Sequence, residues 1–266
     1  MPQYTDSTEL TWNYTESGGS ATIGTGVAWA SGSATTRGTD LSGAITIPST
    51  VDGYTVTGIG EYAFAGCSGL TSIDLSGTQV TTIGSNAFDI CTSLTSIIIP
   101  NSLTTIGSSA FWKCTNLNSI DLSGTQVETI ETFTFYNCTS LETIDLPNSV
   151  TTIGNYAFRL CSSLTSITIP DSVTTIGEYA FNQCYSLTSI TIPDSVETIG
   201  TYAFLNCSSL TSIIIPDSVT SIGTNAFNYI ASSSTVIVKD VDPNKTLIEG
   251  LQYIGGPGLD HGSDGG

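Results

Sequence analysis

Seven cysteines are the residues of this sequence best suited to chemistry, and they are regularly spaced. Each follows a recurring phenylalanine by three residues: Cys67, Cys91, Cys114, Cys138, Cys161, Cys184 and Cys207. The same position in an eighth repeat holds Ile230. A position that accepts either Cys or Ile is a buried apolar position, where free Cys packs as a small hydrophobe. We therefore expect seven reduced core thiols, because parallel side chains on stacked coils are poorly oriented for disulfides.

The remaining residues do not form a pattern typical of a catalytic site or a metal site. The only histidine, His261, lies in a Gly-rich tail, whereas a Ser-His-Asp or Cys-His site needs a positioned base. The cysteines form no Cys-x-x-Cys pair, which argues against zinc. The glycines belong to the repeat rather than to a phosphate-binding loop. We predict a protein that is not an enzyme and has no catalytic residue, cofactor or metal ligand.

An internal repeat must position these side chains. Successive repeat phenylalanines, from Phe64 to Phe227, lie 23 or 24 residues apart. In a typical repeat, Leu187-x-x-Ile190-x-Ile192 has the spacing of leucine-rich repeats, and Pro193 ends the strand. A helical or 3₁₀ turn is expected after the Ile-Gly pair. The sequence predicts a β-rich solenoid of about eight coils, with a single parallel sheet near residues 72–75, 96–99, 119–122, 143–146, 166–169, 189–192 and 212–215.

Stacking the coils predicts columns of polar side chains on the exposed face of the strands. The candidate binding face is Ser72, Asp74, Ser96, Ser119, Asp121, Thr143, Asp145, Ser166, Thr168, Ser189, Thr191 and Ser212. Asp121 and Asp145 are neighbours across two coils, so their carboxylates could hold a hard cation such as Ca²⁺. Two solvated acids are the simpler interpretation, and we predict no metal site.

Threonine pairs form a further set of columns: Thr81-Thr82, Thr104-Thr105, Thr151-Thr152 and Thr174-Thr175. A flat threonine array can order water, so ice binding is an alternative function. Glu128 and Glu197 interrupt the array, and threonine is common in β proteins generally. Ice binding therefore ranks below protein or glycan binding.

The repeat resembles the BspA-type leucine-rich repeats. Their pattern is present as Ile153-Gly154, Ala157-Phe158, Cys161, Leu164-Thr165-Ser166-Ile167 and Pro170, and it recurs over roughly residues 44 to 230. The segment from 130 to 135 departs from it, lacking both Gly and Ala. The resemblance implies a secreted or cell-surface protein that adheres to matrix proteins, cells or surfaces.

The ends of the chain differ in composition from the repeats. Residues 1–43 are predicted to cap the first coil as a hairpin, with Trp12 and Trp29 covering the core. Residues 44–230 are the repeats. Residues 231–252 are predicted to form a capping strand, with 235–238 pairing to 212–215. Residues 253–266 are a Gly-rich flexible tail.

Charge and hydropathy narrow the partners. The sequence has 23 acidic and only 5 basic residues, which gives a net charge of −18. This charge disfavours binding to nucleic acids and to anionic membranes. No apolar run approaches the roughly 20 residues of a membrane span. Met1 to Asp6 lack the features of a secretory signal, which leaves the export route open.

The sequence thus predicts a non-catalytic adhesion module on a cell, virion or secreted surface, recognising a protein or glycan through the strand face. The alternative is a structural subunit that self-associates into a fibre or surface appendage.

Overall fold

The computed structural model describes residues 2–7, 10–24, 41–231 and 235–238, and these build a stack of solenoid coils around one core. Each coil contributes one short strand to a surface that we call the strand face. Its strands, numbered in chain order with all others, are β4 (Ser42–Thr46), β7 (Gly69–Asp74), β9 (Ser96–Ile98), β11 (Ser119–Asp121), β13 (Thr143–Asp145), β15 (Ser166–Thr168), β17 (Ser189–Thr191), β19 (Ser212–Ile215) and β21 (Thr235–Val238). The predicted strand positions are confirmed.

Hydrogen bonding divides the strand face into three parallel ladders, β4-β7-β9, β11-β13 and β15-β17-β19-β21, where we expected one continuous sheet. Most of these strands have three residues, so each ladder depends on very few bonds and losing one interrupts it. Neighbouring coils stay joined at both interruptions. The Asn118 N–H donates to the Thr95 carbonyl at 3.2 Å, and the Thr165 N–H donates to the Glu142 carbonyl at 3.3 Å.

A second set of strands, which the sequence analysis did not predict, lies at the Thr-Ile pairs and forms what we call the threonine side. These two-residue strands are β8 (Thr82–Ile83), β10 (Thr105–Ile106), β12 (Thr129–Ile130), β14 (Thr152–Ile153), β16 (Thr175–Ile176), β18 (Thr198–Ile199) and β20 (Ser221–Ile222). They also pair in parallel, as in Thr152 with Thr175. Within each pair the isoleucine is turned to the core and the preceding residue is turned outward.

The third side of each coil, the turn face, runs from the Ile-Gly pair to the cysteine. It consists of successive turns, and no helix is present among the described residues, so the predicted helical or 3₁₀ turn is corrected. The Ala180 N–H closes a turn onto the Gly177 carbonyl, whereas the Tyr179 N–H donates to the Thr201 carbonyl of the next coil. Tyr179 and Gln183 have φ values of 53° and 63°. This left-handed backbone redirects alternate N–H groups between coils, which prevents a helix from propagating.

The glycine of the Ile-Gly pair is required by close stacking. A Cβ at Gly177 would lie 2.7 Å from the backbone nitrogen of Asn155 on the preceding coil.

The coil that departs from the repeat carries Glu131 at the glycine position. Its Thr134 replaces the usual alanine, is fully buried, and donates its hydroxyl to the Glu131 carbonyl at 2.8 Å. The departure is therefore accommodated within one turn.

The core is a single cluster in which the repeat phenylalanines form a continuous stack. Phe64, Phe88, Phe111, Phe135, Phe158, Phe181, Phe204 and Phe227 are all buried, and neighbouring ring centroids lie 5.2 to 5.4 Å apart with nearly parallel planes. The predicted phenylalanine column is confirmed.

The N-terminal segment forms the expected hairpin. It consists of β2 (Thr11–Ser17) and β3 (Ser20–Ile23), with β1 (Gln3–Thr5) alongside β2. Strand β3 runs parallel to β6 (Tyr54–Ile59), which in turn pairs with β5 (Thr50–Val51) and β8, so the hairpin continues the threonine side. Trp12 is buried in the core.

At the other end, β21 pairs with β19 in the predicted register, Ser212 opposite Thr235 through Ile215 opposite Val238. The predictions for Trp29, for His261 and for the Gly-rich tail concern residues outside the described ranges.

Candidate functional site

The strand face brings all twelve candidate binding residues to one surface. Ser72 and Asp74 are half-buried and the other ten, from Ser96 to Ser212, are exposed. The isoleucine at the centre of each strand points into the core, as the alternation of strand side chains requires. Register places Ser166 beside Ser189 and Ser189 beside Ser212. The candidate residues therefore form two columns on neighbouring coils.

Nine of these twelve side chains are hydroxyls that form no side-chain hydrogen bond with another described residue: Ser72, Ser96, Ser119, Thr143, Ser166, Thr168, Ser189, Thr191 and Ser212. The neighbouring threonine column behaves differently. Thr95 donates its hydroxyl to the Thr71 carbonyl at 2.9 Å, and Thr188 donates to Thr165 at 3.2 Å. The hydroxyls of the candidate face thus stay available to a ligand, whereas those of the adjacent column reinforce the stacking of the coils.

Two of the three carboxylates of the strand face accept local hydrogen bonds. Asp121 and Asp145 are opposite one another in the β11–β13 ladder, as predicted. An Asp121 oxygen, however, accepts bonds from the backbone N–H and the hydroxyl of Ser123, at 2.8 and 2.6 Å, and these bonds lower the pKa of Asp121. Asp74 accepts the Ser76 N–H in the same way. Within the described ranges, no group of three or more His, Cys, Asp or Glu side chains is placed to hold a metal ion.

Two apolar side chains also belong to this face and were not singled out as binding residues in the sequence. Ile98 and Ile214 occupy the column of Asp74 and Asp121, and they are 53% and 43% exposed. Their position in an outward-facing column was the signal that could have identified them. An exposed isoleucine provides a desolvation contact beside the hydroxyls and acids.

The threonine side is less suited to ordering water than its sequence suggested. The first threonine of a pair donates its hydroxyl to a carbonyl of the preceding coil, as Thr104 does to Thr81 at 3.0 Å and Thr151 does to Glu128 at 3.2 Å. These donors are committed to coil stacking, which weakens the argument for ice binding.

The seven cysteines are buried and free, as the sequence predicted. Six of them donate their thiols to the carbonyl of the repeat phenylalanine in the preceding coil, at 3.1 or 3.2 Å: Cys91, Cys114, Cys138, Cys161, Cys184 and Cys207. Burial raises the pKa of every thiol in the column, to about 11 for Cys67 and to about 12 for Cys207. Thiolates are therefore scarce, and the column has a structural role.

Solved structures with the same fold are bacterial leucine-rich-repeat proteins. The crystal structure of a Treponema pallidum leucine-rich-repeat protein shares 29% identity over 78% of this chain and 90% of its own, with a TM-score of 0.64. A leucine-rich cell surface protein from Faecalibacterium prausnitzii shares 28% identity over 90% of this chain and 76% of its own, with a TM-score of 0.50. Among curated proteins, none matches the sequence.

The family is established by the repeats themselves. The family model described as the BspA type leucine-rich-repeat region matches residues 43–138 and 128–244, in six copies. None of the described residues belongs to a helix with the length and hydropathy needed to cross a bilayer. This chain belongs to the BspA-type leucine-rich-repeat family.

Proposed function

We propose that the chain is a non-catalytic binding module that recognises a protein or a glycan through its strand face. The observation that carries this proposal is the contrast between two neighbouring columns. The Ser96 hydroxyl and its counterparts are free of intramolecular side-chain bonds, whereas the adjacent Thr95 hydroxyl and its counterparts are bonded to the preceding coil. The face offers donors and acceptors in fixed rows.

The arrangement suits recognition because its parts are rigid before a ligand arrives. Short hydroxyl side chains lose little conformational entropy on binding, and strands fixed by coil stacking lose less still. Ile98 and Ile214 add apolar contact. Asp121, Asp145 and the adjacent exposed Glu142 make the central part acidic, which favours partners with basic or hydroxyl groups.

A location outside the cell or on a cell surface accompanies this proposal. It is supported by family membership and by the Faecalibacterium prausnitzii structure, which is named a cell surface protein. Adhesion to a matrix protein or a surface glycan is the specific role that we propose for this chain.

A binding screen against purified matrix proteins and immobilised glycans tests the proposal. The test variant carries Ser96→Lys and Ser119→Lys on the strand face. The control variant carries Thr105→Lys, because Thr105 is exposed on the threonine side of the same coil as Ser96. We expect the double variant to lose at least about tenfold in affinity and the control to stay within about twofold. Equal affinities for the wild type and the double variant would overturn the proposal.

Assembly into a fibre is the alternative function, and it calls for a different measurement. A parallel ladder is extended when a strand from another chain pairs with its edge. Sedimentation velocity over a wide concentration range distinguishes the two functions. A monomer at all concentrations supports the binding module, and filaments or a growing series of oligomers support the structural subunit.

A further inference from the structure

The turn face carries a column of aromatic rings that the strand-face proposal does not use. The residue two places before the repeat phenylalanine is aromatic in four successive coils: Phe133, Tyr156, Tyr179 and Tyr202. Neighbouring ring centroids lie 4.7 to 4.8 Å apart, and their planes are inclined by 8° to 28°. All four residues are half-buried. The rings largely cover one another's faces and leave their edges toward solvent.

A second column runs beside the first, at the residue after the repeat phenylalanine. Trp112 stacks on Tyr136 at 6.0 Å between centroids, and Arg159 takes the next place. The Arg159 guanidinium carbon lies 5.8 Å from the Tyr136 ring, 5.6 Å from Tyr156 and 5.4 Å from Tyr179. The two columns thus enclose one guanidinium between three tyrosines. We call these seven residues and Lys113 the aromatic strip.

The basic residues of the described chain are concentrated in this strip. Of the five in the sequence, Lys113 and Arg159 are the two that the structure describes, and the Lys113 ammonium lies 4.1 Å above the Trp112 ring. Two acids lie near the strip: exposed Glu178, which precedes Tyr179, and buried Asp89, which holds the place before Trp112 in the second column and interacts with Lys113. Arg159 is the cation of the strip that forms no ion pair with a described carboxylate.

The guanidinium of Arg159 lacks hydrogen-bond partners within the described part of the chain. Its Nε atom is buried and has no hydrogen-bond partner among the described residues. Arg159 as a whole is only half-buried, so the rest of its guanidinium, which has no carboxylate partner among the described residues, can meet an incoming carboxylate of matching forked geometry. Tyrosine ring edges carry partial positive charge, which also favours an anionic group at this place.

We propose that the aromatic strip docks a protein segment in which a carboxylate side chain is flanked by apolar residues. The carboxylate pairs with Arg159, and the flanking residues cover the ring edges of Tyr136 and Tyr156. Trp, Tyr and Arg are the side chains that dominate the energetics of protein–protein contacts. A sugar needs an open ring face for stacking, and most faces here are covered by the next ring. This surface is distinct from the strand face.

Selection of phage-displayed random dodecapeptides on the immobilised full chain tests this proposal. We expect the selected peptides to contain Asp or Glu beside apolar residues. Synthetic versions should bind Arg159→Gln at least about tenfold more weakly than the wild type, because a charge-assisted bond is lost. Arg159→Lys, which keeps the charge but not the fork, should recover part of the affinity. Peptide binding should also change the tryptophan fluorescence of the chain, because Trp112 belongs to the strip.

The matched control is Ser96→Lys/Ser119→Lys, which alters the strand face alone and should leave peptide affinity unchanged. This control separates failure of the strip from failure of the strand-face proposal. Selected peptides without acidic residues, or with equal affinity for Arg159→Gln, would overturn the proposal. So would Arg159-dependent binding to an acidic glycan array in the absence of peptide binding. A circular dichroism melt of each variant verifies that it is folded.

Discussion

The thiol of Cys161 donates a hydrogen bond to the backbone carbonyl of Phe135, 3.1 Å away on the preceding coil. The same carbonyl accepts the backbone N–H of Cys138, which closes the turn within its own coil. One carbonyl is thus shared by a bond within the coil and a bond between coils. Cysteine fills this buried position and, unlike the isoleucine at the equivalent place in the eighth repeat, Ile230, supplies a donor. The cysteine column therefore contributes to coil stacking as well as to the apolar core.

Thiol reactivity tests this arrangement. The folded protein should react slowly with a thiol reagent and show seven equivalents only after denaturation, since burial raises the pKa of every thiol. Reduction should leave the melting temperature unchanged. Mass spectrometry of partly labelled protein should find Cys67 modified before Cys207, because burial raises the pKa of Cys67 to about 11 and that of Cys207 to about 12. Rapid native labelling of several cysteines would contradict the buried column.

The phenylalanine stack should dominate the stability of the central coils. Phe158 is fully buried, with Phe135 and Phe181 stacked on its two sides at 5.4 and 5.3 Å. Phe158→Ala removes both stacking contacts and leaves a cavity, so we expect a loss of about 3 to 5 kcal/mol in the free energy of unfolding. Urea denaturation measures it. Phe158→Leu, which keeps much of the volume, should cost clearly less, and a loss below about 1 kcal/mol for the alanine variant would contradict the packing.

The strand positions and the core could be predicted because they depend on side-chain periodicity. Ile190 and Ile192, two residues apart, must share one face of a strand, and a phenylalanine recurring every 23 or 24 residues must return to one place in each coil. Both expectations hold in the structure. Nothing beyond the spacing of apolar residues was needed.

The backbone conformation of the turn face could not be predicted in the same way, and neither could which hydroxyls form hydrogen bonds with the preceding coil. Tyr179 adopts a left-handed backbone because its N–H bonds to the next coil, and local propensity gives no sign of this. Thr95 and Ser96 are adjacent and chemically alike, yet only the Thr95 hydroxyl reaches a carbonyl of the preceding coil. Such differences depend on where the neighbouring coil places its backbone.

A residue whose backbone is in the left-handed region is a place where a substitution can stabilise the fold. Leu160 has a φ of 65°, which is unfavourable for a leucine, and three of the other coils place Asn137, Asn206 or Gly66 at the same position. Leu160→Asn keeps the backbone bond from the residue 160 N–H to the Asn182 carbonyl and relieves the strain. We expect the variant to be as stable as the wild type or more stable by up to about 1 kcal/mol in urea denaturation.

The control for this substitution is Leu164→Asn, four residues away. Leu164 is fully buried in the core, so the same chemical change should cost about 3 kcal/mol or more there. Similar losses at the two positions would show that the side chain of Leu160, rather than its backbone, determines stability.

Asp89 makes the stability of the fold depend on pH. It is 7% exposed, its Oδ1 atom is buried without a partner among the described residues, and burial raises its pKa from 3.8 to about 6, with Lys113 opposing the shift. Because the folded state binds this proton more tightly than the unfolded chain, Asp89 destabilises the fold increasingly as the pH rises from about 4 to about 6, and fully above that range.

Asp89→Asn should therefore be more stable than the wild type at pH 7.5, by about 1 to 2 kcal/mol. The difference should shrink toward zero near pH 4, where the Asp89 carboxyl is neutral in both states. Urea denaturation of both proteins across this range measures it, and Lys113→Gln should move the midpoint to higher pH. A difference that stays constant with pH would show that Asp89 does not titrate in a buried site.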